Sequence, residues 1–300
     1  MGRIVITGAG GFIGSAMLQS LTRYRRGEVL AIDLPTSKLH LAKGYSVAYC
    51  DILSDLLRKH IHAGDRVLHL AAISTFKAAE EDRLRALAVN VGGTLKIVEA
   101  CNDAGAERLV FSSTGSVISP KAEVPFKEDA PLDPPNYYGW TKALAEDVIK
   151  RYCRVPWIIL RYGYVYGATK RHGAIGAFIQ LLRQGKPPTI YGGKQTNDFT
   201  YIEDIEQANR LALLTEHTHQ IYHIGSGRAN SILDVYDLCA DALNSKIKPV
   251  IKAPRPSDYP VFLYDIEKAR KLLEYEPQWT LKQGINRMVE ILESESPKSQ

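Results

Sequence analysis

Cysteine is scarce in these 300 residues: four, at Cys50, Cys101, Cys153 and Cys239, far apart and with no C-x-x-C pair. That spacing argues against a disulfide framework or a thiolate metal site, and it suits reduced thiols in a cytoplasm. The histidine pairs His60/His62 and His217/His219 join no ligand cluster, so no metal is expected. No apolar run approaches the length of a membrane span, and no membrane partner is expected. The chain runs directly into an apolar strand, which carries the expectation of no signal peptide. Charge of one sign is also lacking. The formal net charge is +5 without a basic stripe, which argues against nucleic acid and leaves room for an anionic small molecule. Repeats and low-complexity tracts are absent. What remains is an ordinary globular composition, 45% apolar, long enough for a large α/β domain with a smaller lobe.

The first apolar run, Arg3 to Thr7, is short and β-branched and reads as a strand. It empties into Gly8-Ala9-Gly10-Gly11-Phe12-Ile13-Gly14, from which an amphipathic helix runs from about Phe12 to Tyr24. A strand, a glycine turn and a helix N-terminus make an anion site, because backbone N–H groups and the helix dipole both favour a pyrophosphate. The frame G-x-x-G-x-x-G fits Gly8, Gly11 and Gly14, whereas G-x-G-x-x-G would put Ile13 where a small residue is needed. Phe12 and Ile13 belong to the same contact. A second strand, Glu28 to Ile32, ends on Asp33, about 20 residues beyond Gly14, where a dinucleotide fold places a ribose-binding carboxylate. An acid there faces the extra phosphate of NADP. Like charges at ~4 Å repel by about 4 kcal/mol at an effective dielectric near 20, so NAD is the expected cofactor.

Strand-like runs at Ser46–Cys50, Arg66–His69, Arg108–Ser112 and Val155–Arg161 alternate with helical ones, the longest being Asp82–Asp103 and Tyr138–Tyr152. This rhythm predicts a doubly wound parallel sheet of Rossmann type in an α/β fold. After Gly167 it breaks into short strands (Thr189–Tyr191, Phe199–Ile202, Ile221–Ile224) and helices started by Ser231/Asp234 and Thr280/Gln283. The expected division is a cofactor domain over 1–167, a smaller C-terminal α+β substrate lobe over 168–294 interleaved with it, and a frayed tail over 295–300.

Tyr138 and Lys142 stand four apart at the start of a helix, on one face and one turn apart. A phenol works as a base near pH 7 only if its pKa falls by ~3 units, roughly 4 kcal/mol in favour of the phenolate, which neighbouring cations can supply. Ser112, Ser113 and Thr114 end the preceding strand. In open α/β sheets ligands sit beyond such ends, so these hydroxyls are placed to hold a substrate oxygen.

With these motifs in order, the chain resembles the extended short-chain dehydrogenase/reductase family, the nucleotide-sugar epimerase and dehydratase group, from Ile4 to about Leu292. The resemblance gives Gly8, Gly11 and Gly14 the cofactor turn and Asp33 the ribose. Cys50-Asp51-Ile52 matches the segment whose acid meets the adenine, and Leu70, Ala71 and Ala72 the strand end lining the cofactor. Asn90 matches the helix asparagine that steadies the site. Thr114, Tyr138 and Lys142 match the catalytic hydroxyl, base and lysine, with Ser112 and Tyr162 further contacts to the cofactor. Ser116, Tyr164, Asn197 and Arg255 fall on substrate positions. Two of these depart from the pattern. Members handling diphospho-sugars usually carry asparagine at Tyr164 and arginine at Asn197, and arginine grips phosphate bidentately where asparagine cannot. Arg255 is left as a phosphate partner, with Lys170, Arg171 and Lys194 as substitutes. Gly115 and Ser116 follow Thr114 where sugar 4,6-dehydratases carry an acid pair, which disfavours dehydration.

The resemblance implies an NAD-dependent nucleotide-sugar epimerase, working by transient oxidation of a sugar hydroxyl and return of the hydride. Its rivals are a sugar dehydrogenase or ketoreductase that releases its product, and a non-catalytic cofactor-sensing protein. It also implies a homodimer paired through the two long helices.

Overall fold

The computed structural model describes residues 2–23, 27–37, 39, 44–169, 173–254 and 259–294. Its strands are β1 (Ile4–Thr7), β2 (Val29–Asp33), β3 (Ser46–Tyr49), β4 (Arg66–His69), β5 (Arg108–Thr114), β6 (Trp157–Tyr162), β7 (Tyr164–Tyr166), β8 (Thr189–Tyr191), β9 (Thr196–Tyr201), β10 (Gln220–Ile224), β11 (Ala229–Ser231), β12 (Val250–Lys252) and β13 (Val261–Phe262). The helices are α1 (Phe12–Arg23), α2 (Phe76–Glu81), α3 (Arg83–Leu87), α4 (Thr94–Ala104), α5 (Tyr137–Tyr152), α6 (Ala174–Arg183), α7 (Ile202–Leu214), α8 (Ile232–Ala242), α9 (Glu267–Leu273) and α10 (Leu281–Ser294).

Seven strands form the central sheet in the order β3-β2-β1-β4-β5-β6-β10, each neighbouring pair parallel. Successive side chains of a strand point to opposite faces, so each buried strand feeds two cores. Ile4, Ile6, Leu68, Val110, Ile158 and Leu160 pack against Met17 and Leu21 of α1 and Ile205 and Ala208 of α7. Val5, Val67, Leu109 and Ile159 pack against Ile97 and Val98 of α4 and Ala145 and Ile149 of α5. In a smaller sheet β9 pairs with β7, β11 and β13, and β8 and β12 form a separate two-stranded sheet. The seventh strand of the central sheet, β10, comes from late in the chain, so sheet and lobe interleave.

The helix starts are built as their sequences ask. Ser231 and Asp234 form a reciprocal capping box, and Thr280 and Gln283 exchange the same pair of bonds. Two elements differ from expectation. The helix read over Asp82–Asp103 is one unbroken helical run capped by Asp82, but it carries a π-helical turn over Ala88–Gly93 between α3 and α4, with right-handed helical dihedrals at both junctions. Val89-Asn90-Val91-Gly92-Gly93 is a run of weak helix formers, and the Asn90 side chain is spent outside the helix. Ile202, read as a strand end, is the first residue of α7. The expected helix end at Tyr24 and the tail over 295–300 lie outside the described residues.

Two histidines in the central sheet are wholly buried. Burial, with Lys142 nearby, pushes His69 down to about 3; burial, with Arg161 nearby, does the same to His223. Thr94 Oγ1 donates to the Asn90 carbonyl (2.7 Å) and so accepts from His69 Nε2 (3.1 Å), leaving Nδ1 to accept from Thr7 Oγ1 (2.8 Å). His223 is the opposite tautomer, its Nδ1 donating to the Phe126 carbonyl (3.0 Å). Between pH 6.5 and about 3 the unfolded chain binds a proton at each ring that the folded one does not, so each subtracts stability as the pH falls through that window. We expect 15N shifts of two neutral rings of opposite tautomer at pH 5. An imidazolium signature from either ring at that pH would contradict this.

Candidate active site

The carboxyl ends of β1, β2, β4, β5 and β6 open into a cleft of about 740 Å³ that reaches the lobe. At one end lie Gly8, Gly11, Phe12, Ile13 and Gly14. Gly8 adopts φ +69°, and a Cβ there would lie 2.7 Å from the Ala71 amide nitrogen; a Cβ on Gly14 would lie 2.3 Å from the Gly8 carbonyl oxygen. The turn therefore closes on β4 and on the start of α1 only because these positions are glycine. Asp33 spans the turn, accepting from Gly10 N (2.6 Å) and Leu34 N (2.7 Å). Asp51, which accepts from Leu53 N (2.9 Å), and Ile52 complete this end, with Leu70, Ala71 and Ala72 along the β4 edge. A backbone cradle at a helix N-terminus with a carboxylate beyond it fits a dinucleotide.

At the other end stand Ser112, Thr114, Ser116, Tyr138 and Lys142. Asn136 caps α5 by accepting from Gly139 N (2.9 Å), which starts the helix where Tyr138 and Lys142 both face the cleft. The Lys142 ammonium lies 4.0 Å from the centre of the Phe111 ring. Burial pulls its pKa down to about 7 against the raising effect of Glu146. Burial pushes the Tyr138 phenol up to about 12, opposed by a hydrogen bond with Thr114. Without cofactor the pair is thus a phenol beside an amine near its midpoint at neutral pH, and the downward shift that a phenolate base needs is not supplied by Lys142 alone.

Asn90 lies behind the cleft rather than on it. Its side chain binds both Ile73 N (2.8 Å) and Ile73 O (3.1 Å) and donates to Thr141 Oγ1 (3.0 Å), whose hydroxyl donates to the Tyr138 carbonyl (2.8 Å). It steadies α5 from the π-helical turn. Tyr162 presents its ring to the cleft while its hydroxyl donates to buried Asn209 (2.7 Å). Tyr164 lines the cleft, packed on Phe199 and Phe262. Asn197 is buried in β9 and is not among the lining residues, so it does not take up the expected substrate position. A side chain that short on a covered strand stays in the sheet. Arg255, Lys170 and Arg171 lie outside the described residues.

Sequence reasoning missed Phe76, Arg85 and Phe262 on the cleft wall. The Phe76 ring lies tilted against Tyr138 with centroids 5.9 Å apart, and Arg85 approaches Asp51 at 3.6 Å. None sits in a motif. An N-cap at Thr75 was the one local signal, marking a helix start beside Phe76. Among the described residues no group of three or more His, Cys, Asp or Glu side chains could hold a metal ion.

Residues 4–225 match the NAD dependent epimerase/dehydratase family. A putative UDP-glucose 4-epimerase of Methanocaldococcus jannaschii is 30% identical, over 95% of this chain and 97% of that protein. The crystal structure of a UDP-glucose 4-epimerase from Thermotoga maritima with UDP-glucose is 27% identical and superposes with TM-score 0.89, covering 97% of this chain and 99% of that one. A UDP-glucuronic acid 4-epimerase from Bacillus cereus with UDP-glucuronic acid and NAD is 29% identical with TM-score 0.87, covering 97% and 99%.

The Lys142 environment can be read directly. In cofactor-free protein labelled with 13C-lysine and assigned through Lys142→Met, its 13Cε resonance should titrate with a midpoint near about 7. Between that pH and the ordinary 10.5 the unfolded chain holds a proton that the folded amine has shed, so this group adds stability as the pH rises through the window. A midpoint above 9 would mean that burial does not govern this amine.

Proposed function

The chain belongs to the NAD dependent epimerase/dehydratase family, and we propose that it is an NAD-dependent nucleotide-sugar epimerase. The observation that carries this reading is the convergence of Thr114, Tyr138 and Lys142 at one end of a cleft whose other end is the glycine turn. The similar proteins compared above carry the names of UDP-sugar 4-epimerases, which makes a UDP-sugar the first substrate to try.

Gly8, Gly11, Gly14 and Asp33 would hold NAD, with Asp51, Ile52, Ala71 and Ala72 along its length. When bound, NAD supplies the hydride acceptor and donor and a further positive charge. Tyr138 takes the proton of the sugar hydroxyl and returns it at the end of the cycle. Lys142, as ammonium, stabilises the phenolate, and Thr114 with Ser116 orients the reacting oxygen. The acids lining the cleft among the described residues, Asp33 and Asp51, lie at the turn end, away from Thr114, which supports epimerisation over dehydration.

Exposed Leu84, Leu95, Trp140 and Tyr152 on α3, α4 and α5 support pairing of two copies through these helices. Among the described residues no helix is long and apolar enough to cross a membrane. Four free cysteines fit a cytoplasmic setting.

Incubating the protein and NAD with UDP-glucose, UDP-N-acetylglucosamine and UDP-glucuronic acid, read by proton NMR, should give a 4-epimer of at least one without stoichiometric NADH. Net NADH equal to product would instead make it a dehydrogenase. Tyr138→Phe should lower turnover by ~10²-fold or more while leaving NAD affinity within a few-fold, since only the hydroxyl is lost. Retention of a tenth of the activity would require another base.

Asp33 makes a second expectation. Both its oxygens already order the turn, and its charge opposes a 2′-phosphate. NAD should bind at least ~10-fold tighter than NADP, and Asp33→Ala should narrow that gap. Equal titration curves for the two cofactors in the unmodified protein would refute the assignment.

A further inference from the structure

Tyr138, Lys142, Glu146 and Lys150 follow one another at four-residue spacing along one face of α5. The first two face the cleft. Glu146 lies behind them, with no solvent exposure. Its Oε1 accepts from Ser113 Oγ (2.6 Å) and Arg161 Nε (2.9 Å), and its Oε2 from Arg161 Nη2 (2.7 Å), with Lys150 Nζ at 3.4 Å. Ser113 immediately precedes Thr114 in β5, Arg161 immediately precedes Tyr162 in β6, and the two are cross-strand partners. Arg161 is fixed from its far side as well, where Nη1 donates to the Glu128 carbonyl (3.0 Å).

We propose that Glu146 is a positioning residue for the reaction: through Ser113 and Arg161 it fixes where the Tyr138–Lys142 face of α5 stands relative to Thr114. The proposal rests on the reading of Tyr138 as base given above. Apolar side chains of similar volume can replace a buried ion pair at no loss of stability, so stability alone does not account for this one. A bidentate guanidinium–carboxylate fork adds direction, which apolar packing does not. Ser113 extends that fork to the residue next to Thr114, so one carboxylate references helix and strand to each other.

Charge strengthens the same link. The groups facing Lys142 are His69 from β4 and Tyr138 and Glu146 from α5, with Arg161 of β6 behind Glu146. His69 is neutral and Tyr138 is a phenol without cofactor, which leaves Glu146 as the anion of the group. Neutralising it exposes Lys142 to the uncompensated Arg161 charge and favours the free amine.

The test is Glu146→Gln in the NAD-loaded enzyme, with Ser113→Ala as an uncharged comparison. Glu146→Gln should lower kcat by ~10- to 100-fold with KM within about threefold, because displacement of a reacting group by a fraction of an ångström is felt in turnover and the residue touches no substrate. The alkaline limb of its kcat profile should move to lower pH. Ser113→Ala should lower kcat less and leave that limb in place. In the cofactor-free protein, amide hydrogen exchange over the first half of α5 should quicken in Glu146→Gln. A folded Glu146→Gln with kcat within twofold of the unmodified enzyme and an unmoved limb would overturn the proposal. Should that variant fail to fold, Glu146→Gln/Arg161→Met removes both charges together, and a kcat within twofold there would overturn it equally. An unmodified protein that turns over no nucleotide-sugar defeats the epimerase reading instead, and unchanged α5 exchange in Glu146→Gln then decides against this one.

Discussion

Thr7 lies beside His69 in the sheet, His69 beside Phe111, and Thr114 beside Tyr162. Because these strands run parallel, their last residues arrive at the same edge, and everything the cleft does depends on that register. A slip of one residue between β4 and β5 would turn the Phe111 ring to the other face and leave the Lys142 ammonium without the surface it now rests on at 4.0 Å. A like slip of β4 on β1 would part His69 from Thr7, and with it the link through Thr94 that joins β1 to the π-helical turn. The register is set by two apolar cores, one on each face, which accept only one alternation of side chains. Packing far from the chemistry therefore fixes the chemistry's coordinates.

The reaction end is also an electrostatic corner in which burial favours the neutral form of each group. It raises Tyr138, lowers Lys142 and lowers His69. The first two shifts act together: phenol and amine are preferred over phenolate and ammonium, so the charge-separated pair that a tyrosine base requires is disfavoured until more charge enters. A bound nicotinamide cation would bring such charge. His69 differs in kind. Its shift comes from burial and nearby Lys142, and its two hydroxyl partners fix the tautomer, so it stays neutral and structural.

Much of this was legible in the sequence because it is local. The glycine turn, the acid ending β2, the hydroxyls ending β5 and the Tyr138–Lys142 spacing each follow from residue type at short range, and strand alternation gave the parallel sheet. What was not legible is non-local. The π-helical turn at Asn90 goes with a side chain bonded to Ile73, an interaction across separate elements that helical periodicity cannot register. The placement of β10 beside β6 depends on a strand returning from the lobe to the sheet. Glu146 reads as one more charge on an amphipathic helix, and only the fold shows that its face is inward and that Arg161 waits there. Phe76 and Phe262 reach the cleft from elements with no motif of their own.

The departures at Tyr164 and Asn197 look independent in sequence and prove to be neighbours in space. Asn197 in β9 is the cross-strand partner of Phe262 in β13, and the Tyr164 ring meets the Phe262 ring edge-on at 5.2 Å. Phe262 in turn presses against Gly115, where a Cβ would sit 2.1 Å from its ring, between the two hydroxyl residues Thr114 and Ser116. Tyr164 then adds a ring where the cleft would otherwise widen. Phe262 therefore joins the two positions in one packed group. That group sets aromatic ring atoms against Gly115, between the Thr114 and Ser116 hydroxyls on the cleft wall.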